Sequence, residues 1–320
     1  MCVLEKMEDA LCPVTVILTT SPTHSNPSTE LINAVLVSFR LVSGLKSATI
    51  LIVADGCVVH DKSRWKSGWV TPEQRIAYNM YLDNLQKELD NPFTSLLRLP
   101  TRVGFGFAVK TALAHVTTPY VLVVQHDYSF VRPISLAPVL AAMEMFPDVL
   151  KYVAFVSTST YEYALRRGIQ YVQWGVRTEV VTLAGEPFCK LLFWYDKTHL
   201  ARTDFYRSFV FGVNSCVRRG DFPEYRLGHV MTADIKANGM AAHATYGTFL
   251  WYPNGGTETV IRHSNGRGFL TVVQKTEAEA TSRNCVCKDI VCLIKDGRRH
   301  HPSPPQDSVR KEKKANKHDS

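Results

Sequence analysis

The sequence predicts an α/β fold with a mostly parallel central sheet flanked by helices. Three observations predict it. Apolar runs without polar alternation recur at Val14–Thr20, Thr49–Ala54 and residues 120–124, as in strands buried on both faces. A segment of helical period follows the first run, with Leu31, Val35, Leu36, Phe39 and Val42 on one face. The runs then end in acids: Asp55-Gly56, Gln125-His126-Asp127 and, after residues 190–195, Asp196. In open α/β sheets ligands bind outside the carboxyl ends of the strands, so acids there point to chemistry as well as to packing.

Each element follows from local signals. The first strand breaks into Ser21-Pro22-Thr23-His24-Ser25-Asn26-Pro27, and Asn26 then Pro27 read as N-cap and first helical residue. Gly44 ends that helix. With the second strand the chain therefore opens β-α-β, and right-handed crossover makes the two strands parallel. Thr71-Pro72 starts a second helix, whose apolar set reads as Ile76, Met80, Leu82 and Leu85. Residues 95–99 read as a short third strand, 105–115 as a helix, 120–124 as the central strand and 151–157 as another. Residues 190–195 read as strand-like, a helix follows Glu224, and residues 248–252 form a late strand closed by Pro253-Asn254-Gly255-Gly256.

Composition narrows the class. The chain has 320 residues and is 45% hydrophobic, enough for one large domain or two small ones. The expected organisation is an N-terminal extension at 1–12, a catalytic domain at 13–275 and a tail at 276–320. That tail carries Cys285, Cys287 and Cys292, then a basic, Pro-containing end that reads as disordered. The net charge is +8; residues 295–320 hold eight Lys/Arg and four Asp/Glu, so half of the excess lies there. The rest is only mildly basic, which suits an anionic small ligand and names no specific nucleic acid. Five of the eight cysteines read as reduced core thiols; the other three form a C-x-C-x4-C group that departs from standard zinc spacing. No apolar run is long enough to span a membrane, and residues 1–11 are too charged for a signal peptide. The expected location is cytoplasmic, or membrane-associated or Golgi if the chain is a fragment.

The chemistry-bearing residues fall in four places. Strand-end acids converge on one sheet edge, where they attract a divalent cation that neutralises a diphosphate. Arg102-Val103-Gly104-Phe105-Gly106-Phe107-Ala108-Val109-Lys110 joins a strand to a helix, so Gly104 lets backbone approach a phosphate and the helix start favours anions. The same glycines begin G-x-G-x-x-G, the dinucleotide fingerprint, but Val109 stands at its third glycine. Asp221 and Glu224 stand at a helix start, where a partly buried carboxylate can act as general base or simply complement the dipole. Finally, Arg262, His263 and Arg267 lie in a loop after the last strand, suited to metal or phosphate.

Over residues 14–268 these pieces, in this order, resemble the nucleotide-sugar glycosyltransferases of the GT-A fold, close to the broad family-2-like group. The first strand through Thr20 and Ser21 resembles the family's nucleotide loop, and Asp55 its nucleotide-contacting acid. Gln125-His126-Asp127 takes the place of the Asp-x-Asp metal motif. Phe222-Pro223-Glu224-Tyr225 resembles the Glu-Asp segment that supplies the base, and His263 its late metal-binding histidine. Gly104, Ala108 and Leu113 match the pattern before the metal strand. The resemblance implies a metal-dependent, inverting hexosyltransferase-like enzyme. It would hold Mn2+ or Mg2+ on Asp127, His126 and His263. It would bind a nucleotide-sugar through Thr20, Ser21, Asp55, Gly104, Lys110 and Arg267. Glu224, with Asp221 or Asp234 as alternatives, would activate an acceptor hydroxyl on a glycan, protein or small molecule. Trp174, Trp194, Trp251 and Tyr252 offer faces for a sugar, though most read as core. Gln125 and Tyr225 stand where the family has acids, which leaves a non-catalytic binding protein of the same fold as one alternative; the Gly104 and Gly106 pattern leaves an NAD(P) oxidoreductase as another.

Overall fold

Seven consecutive buried residues make β1 (Val14–Thr20) a central strand, and β4 (Tyr120–Gln125) beside it is buried at its first five positions. The computed structural model describes residues 12–172 and 175–276, so Trp174, Cys2 and the Cys285–Cys287–Cys292 group lie outside the described residues. The chain divides into two compact units at Thr271 and Val272, and the first is described here.

The remaining sheet strands are β2 (Thr49–Ala54), β3 (Thr94–Arg98), β6 (Tyr152–Ala154), β7 (Val180–Leu183), β8 (Glu186–Lys190), β9 (His199–Arg202) and β10 (Thr248–Trp251). Among the described residues they form one nine-stranded sheet in the order β7-β8-β10-β6-β9-β4-β1-β2-β3. The four strands β3, β2, β1 and β4 run parallel, as expected. Beyond β4 the sheet is mixed: β9 is antiparallel to both β4 and β6, and β8 is antiparallel to β10. A separate two-stranded ladder pairs β5 (Tyr128–Phe130) with β11 (Ile261–His263).

Side-chain alternation sends two cores to opposite faces. Val14, Val16, Leu18, Leu122 and Val124 join a cluster with Ile32, Val35, Tyr81 and Leu85 from α1 (Glu30–Ser38) and α2 (Pro72–Glu88). Ile17, Val121 and Val123 join Ala108 and Ala112 of α3 (Phe105–Leu113) and Leu227 and Met231 of α4 (Pro223–Asn238). Full burial of such side chains contributes roughly 1.5–3 kcal/mol each, so the parallel half is held from both sides.

Three local expectations are corrected. The first helix begins at Glu30, not after Asn26; the Asn26 side chain instead accepts the Thr23 N–H at 2.9 Å and closes a turn. In α2 Thr71 caps the helix as expected, in a capping box with Gln74, but Ile76 and Met80 are 61% and 50% exposed, and Tyr78 and Tyr81 take the core positions. Residues 190–195 are a strand only to Lys190. Beyond it Leu191, Leu192 and Trp194 are buried in irregular chain, so their apolarity reflects core filling rather than sheet.

One backbone position is decisive for the loop before α3. Gly104 has φ +81° and ψ 161°, a region almost confined to glycine, and an added Cβ would lie 2.6 Å from the Gly220 Cα. Gly104→Ala is expected to destabilise the protein by at least ~1–3 kcal/mol, measured by urea unfolding.

Candidate functional site

The chain runs outward from β1 to β2 and β3, then returns to place β4 on the other side of β1. That reversal opens a crevice at the carboxyl ends of β1 and β4, the position at which α/β sheets bind ligands. A pocket lies there. Thr20, Ser21, Asp55, Gly104, His126, Asp127, His263 and Arg267 line it, which gathers eight of the eleven residues singled out from sequence.

The other three lie elsewhere. Lys110 sits in the last turn of α3, and its ammonium lies 5.1 Å from the Phe107 ring centre rather than at the helix start, so it is not part of the pocket lining. Asp221 accepts a hydrogen bond from Arg226 Nε at 2.8 Å. Glu224 is set back from the pocket in the first turn of α4, behind Phe222, which does line it. Asp234, nearly three turns further, accepts from Asn238 and from the Tyr246 hydroxyl. Of the aromatic candidates, Trp194 and Tyr252 are core, and Trp251 donates to Glu186.

Asp55 does more than stand at a strand end. Its two oxygens accept the backbone N–H groups of Val103 (2.7 Å) and Gly104 (2.9 Å). The anion at the start of α3 is therefore this chain's own carboxylate. Burial pushes its pKa up, against those two bonds and the Arg102 charge. The dinucleotide reading fails on the same fact: the Gly104 loop follows the edge strand β3, and its donors are already taken.

Asp127 is the most committed group. Pairing of β5 with β11 sets His263 opposite Tyr128, with the rings stacked at 4.6 Å. His263 Nε2 then donates to Asp127 Oδ2 at 3.0 Å, and the Gly266 N–H donates to the same oxygen at 2.9 Å. Asp127 Oδ1 is buried and has no partner. Burial opposes ionisation here. The His263 hydrogen bond, the nearby His126 and the Gly266 N–H outweigh it and hold the carboxyl at about 2.

The expected metal ligands fit in part. Among the described residues no three His, Cys, Asp or Glu gather as a ligand set. His126 is turned away: its Nδ1 meets the Thr20 hydroxyl at 2.8 Å, and Thr20 also meets the Tyr81 hydroxyl at 2.9 Å. Burial lowers the His126 pKa. Gln125, at the place of the first acid, donates its Nε2 to the Asp196 carbonyl at 2.9 Å, so its amide is structural. Two donor atoms remain among the described residues, the partnerless Asp127 Oδ1 and the His263 Nδ1, since His263 Nε2 is spent on Asp127 Oδ2. A small divalent cation held by one carboxylate plus substrate phosphates fits such a pair.

Sequence reasoning missed the partner of Glu224. Glu224 Oε2 accepts the Asp196 N–H at 3.0 Å, and Asp196 Oδ2 accepts the Glu224 N–H at 2.9 Å. Asp196 was visible in sequence as an acid after an apolar run, but nothing in the 27 residues between it and Glu224 signalled a reciprocal clasp. Lys197 lies beside it; burial lowers its pKa to about 8, partly offset by the Glu224 charge.

No protein-family model matches the chain, and no curated protein matches it in sequence. Solved structures do resemble it in fold. One is Staphylococcus aureus TarS, at 13% identity and TM-score 0.41 over 78% of this chain and 36% of that one. Another is a mannosyltransferase from Pyrobaculum calidifontis in complex with GDP-Man and Mn2+, at 16% identity and TM-score 0.43 over 81% and 61%. A third is GalNAc-T7 with UDP, GalNAc and Mn2+, at 9% identity and TM-score 0.46 over 80% and 44%. The chain spans about a third to three fifths of the length of these structures. At such identities the likeness is one of backbone alone. Among the described residues no helix is long and apolar enough to cross a membrane.

Proposed function

We propose that the chain is a nucleotide-sugar glycosyltransferase of the GT-A fold, metal-dependent and inverting. One observation carries the reading. The pocket at the strand reversal is lined by the Asp127–His263 pair, with a buried Asp127 oxygen that has no partner among the described residues, and a second carboxylate, Glu224, is fixed by Asp196 outside that lining. Burial raises the Tyr128 pKa, and the charges of Asp127, Glu224 and Asp196 add to it, so both acids act on that one side chain. A pair of separated carboxylates with unlike surroundings is what transfer with a base and a charged leaving group requires.

In this reading Mn2+ or Mg2+ is held by Asp127 and His263, and when bound it neutralises charge on the departing diphosphate. Thr20, Ser21, Asp55, Gly104 and Arg267 line the donor space, with Arg267 offering a guanidinium to phosphate oxygens. Lys66 and Arg102 add positive charge to the same wall. Glu224 accepts the proton of an acceptor hydroxyl. The acceptor oxygen bonds to the anomeric carbon as the bond to the diphosphate oxygen breaks, with inversion. The nucleoside diphosphate leaves with that electron pair, and Glu224 returns its proton to water.

A second reading, a non-catalytic nucleotide-sugar binder, is favoured by Gln125, whose amide is engaged with Asp196 and supplies no anionic ligand. Both readings expect UDP or GDP with Mn2+ to raise the melting temperature, by the equivalent of ~2.7 kcal/mol at a hundredfold excess over Kd. Release of nucleoside diphosphate from a panel of UDP- and GDP-sugars separates them. A shift with NAD and none with any nucleoside diphosphate overturns both.

A further inference from the structure

Asp196 is a buried acid that the transfer scheme above leaves without a task. It is 3% exposed, its Oδ2 is fixed on the Glu224 N–H, and its Oδ1 has no hydrogen-bond partner. Its surroundings are poor in charge that would stabilise an anion. The Tyr152 and Tyr206 hydroxyls face it from the sheet and from the segment after β9. Tyr152 donates to the Tyr195 carbonyl and Tyr206 sits on His199, so neither donates to Asp196. Tyr128 faces it from β5. The Trp194 indole N–H lies against the carboxyl and favours its ionised form, but by less than burial and the Glu224 charge oppose it. Lys197, next in sequence, spends its ammonium on the Ser159 hydroxyl and the Tyr195 ring, and the acid it faces is Glu224.

The nearest charge to Asp196 is thus a like charge. Two carboxyls tied by reciprocal backbone bonds, one of them buried, cannot both ionise cheaply; the buried one keeps a proton. Burial and the Glu224 charge together push Asp196 well above the usual carboxylate range. Glu224 has the better claim to be the anion. It is half-exposed, stands in the first turn of α4 where the helix dipole favours negative charge, and has Lys197 opposite.

We propose that Asp196 and Glu224 form a single-proton carboxyl pair, in which Asp196 keeps the proton and positions Glu224 as the ionised base. The inference rests on the transferase reading for Glu224 but not for the proton on Asp196. Asp196 is a positioning residue: it touches neither donor nor acceptor, and it acts by fixing the first turn of α4 while leaving the negative charge to its neighbour.

The consequence for stability has a definite sign. A carboxyl ionising near 3.8 in the unfolded chain and far higher in the fold stabilises fully at low pH. That contribution is lost as pH rises toward the folded value. Wild type should therefore lose stability through this group as pH rises above the unfolded value of 3.8, and Asp196→Asn, which mimics the neutral acid, should not.

The test compares wild type, D196N, D196L and E224Q in three readouts. Infrared spectra at neutral pH should show a protonated-carboxyl C=O band in wild type and E224Q that is missing in D196N. Urea unfolding against pH should be flatter in D196N than in wild type. Transfer by D196N should exceed that by D196L by about tenfold, the worth of the amide oxygen that still accepts the Glu224 N–H. An unchanged band in D196N, or parallel pH slopes for D196N and wild type, overturns the proposal. Full turnover by E224Q overturns Glu224 as base, while the band and the slopes decide the proton on Asp196 independently. The spectra do not require D196L to fold.

Discussion

Glu224→Gln is expected to slow transfer by roughly 10²- to 10⁴-fold at neutral pH, the usual worth of a positioned general base. The substitution is unusually clean. Glu224 Oε2 accepts the Asp196 N–H, and the amide oxygen of glutamine can accept the same bond. The Asp196 carboxyl still receives the Glu224 N–H, because that bond uses backbone. Melting temperature should therefore stay near that of wild type while turnover falls, and nucleoside diphosphate should still bind. Asp221 is the rival base; it is paired with Arg226, and Asp221→Asn should leave turnover far less affected than E224Q. A larger loss in D221N, measured as release of nucleoside diphosphate, would exchange the two assignments.

The second large effect is at Asp127. Asp127→Asn is expected to lower transfer by roughly 10²- to 10³-fold, as removal of a site that stabilises leaving-group charge does. An asparagine oxygen can still accept from His263 and Gly266, so D127N should fold normally. Asp127→Ala should be worse in a different way: it leaves the Gly266 N–H without its acceptor, at about 1–3 kcal/mol, and unfastens β11 from the strand end. The pair of variants separates charge from architecture. Loss of transfer in both with loss of stability only in D127A supports the assignment; full turnover in D127N removes the metal from the scheme. Titration with Mn2+ supplies the complementary measure, since D127N should need far more of it to reach half-maximal release.

Much of this was legible in the chain, and for identifiable reasons. The β-branched runs ending at Thr20, Ala54 and Val124 are continuous and apolar, so the parallel half followed from composition alone. Acids at their ends followed from the position of binding sites in such sheets, and eight candidates do meet in one pocket. The antiparallel half was much less legible. Its strands are three to five residues long, too short to show a period, and its apolar neighbours Leu191 to Trp194 are buried without being extended in the sheet. Side-chain roles were the least legible of all. His126 is next to Asp127 in sequence, yet in the turn after β4 its ring is held by the Thr20 hydroxyl. Asp55 reads as a ligand contact, yet both its oxygens serve backbone N–H groups of its own chain. Such outcomes depend on which hydrogen bonds are already spent, and no local pattern records that.

The short ladder between β5 and β11 has a consequence for the order of assembly. It fastens His263 to Asp127 across 136 positions of chain. The sheet strands that shape the donor side, β1 to β4, are all made before residue 126, so that half can form while the distal segment is still being synthesised. The clasp cannot. Contacts of such long sequence separation are the slow ones to close. The nascent chain would thus carry a folded nucleotide cleft whose central carboxylate lacks its imidazole until the final loop arrives. Competence for transfer would then be a late event, timed by the ribosome's passage through residues 261–266 rather than by formation of the sheet.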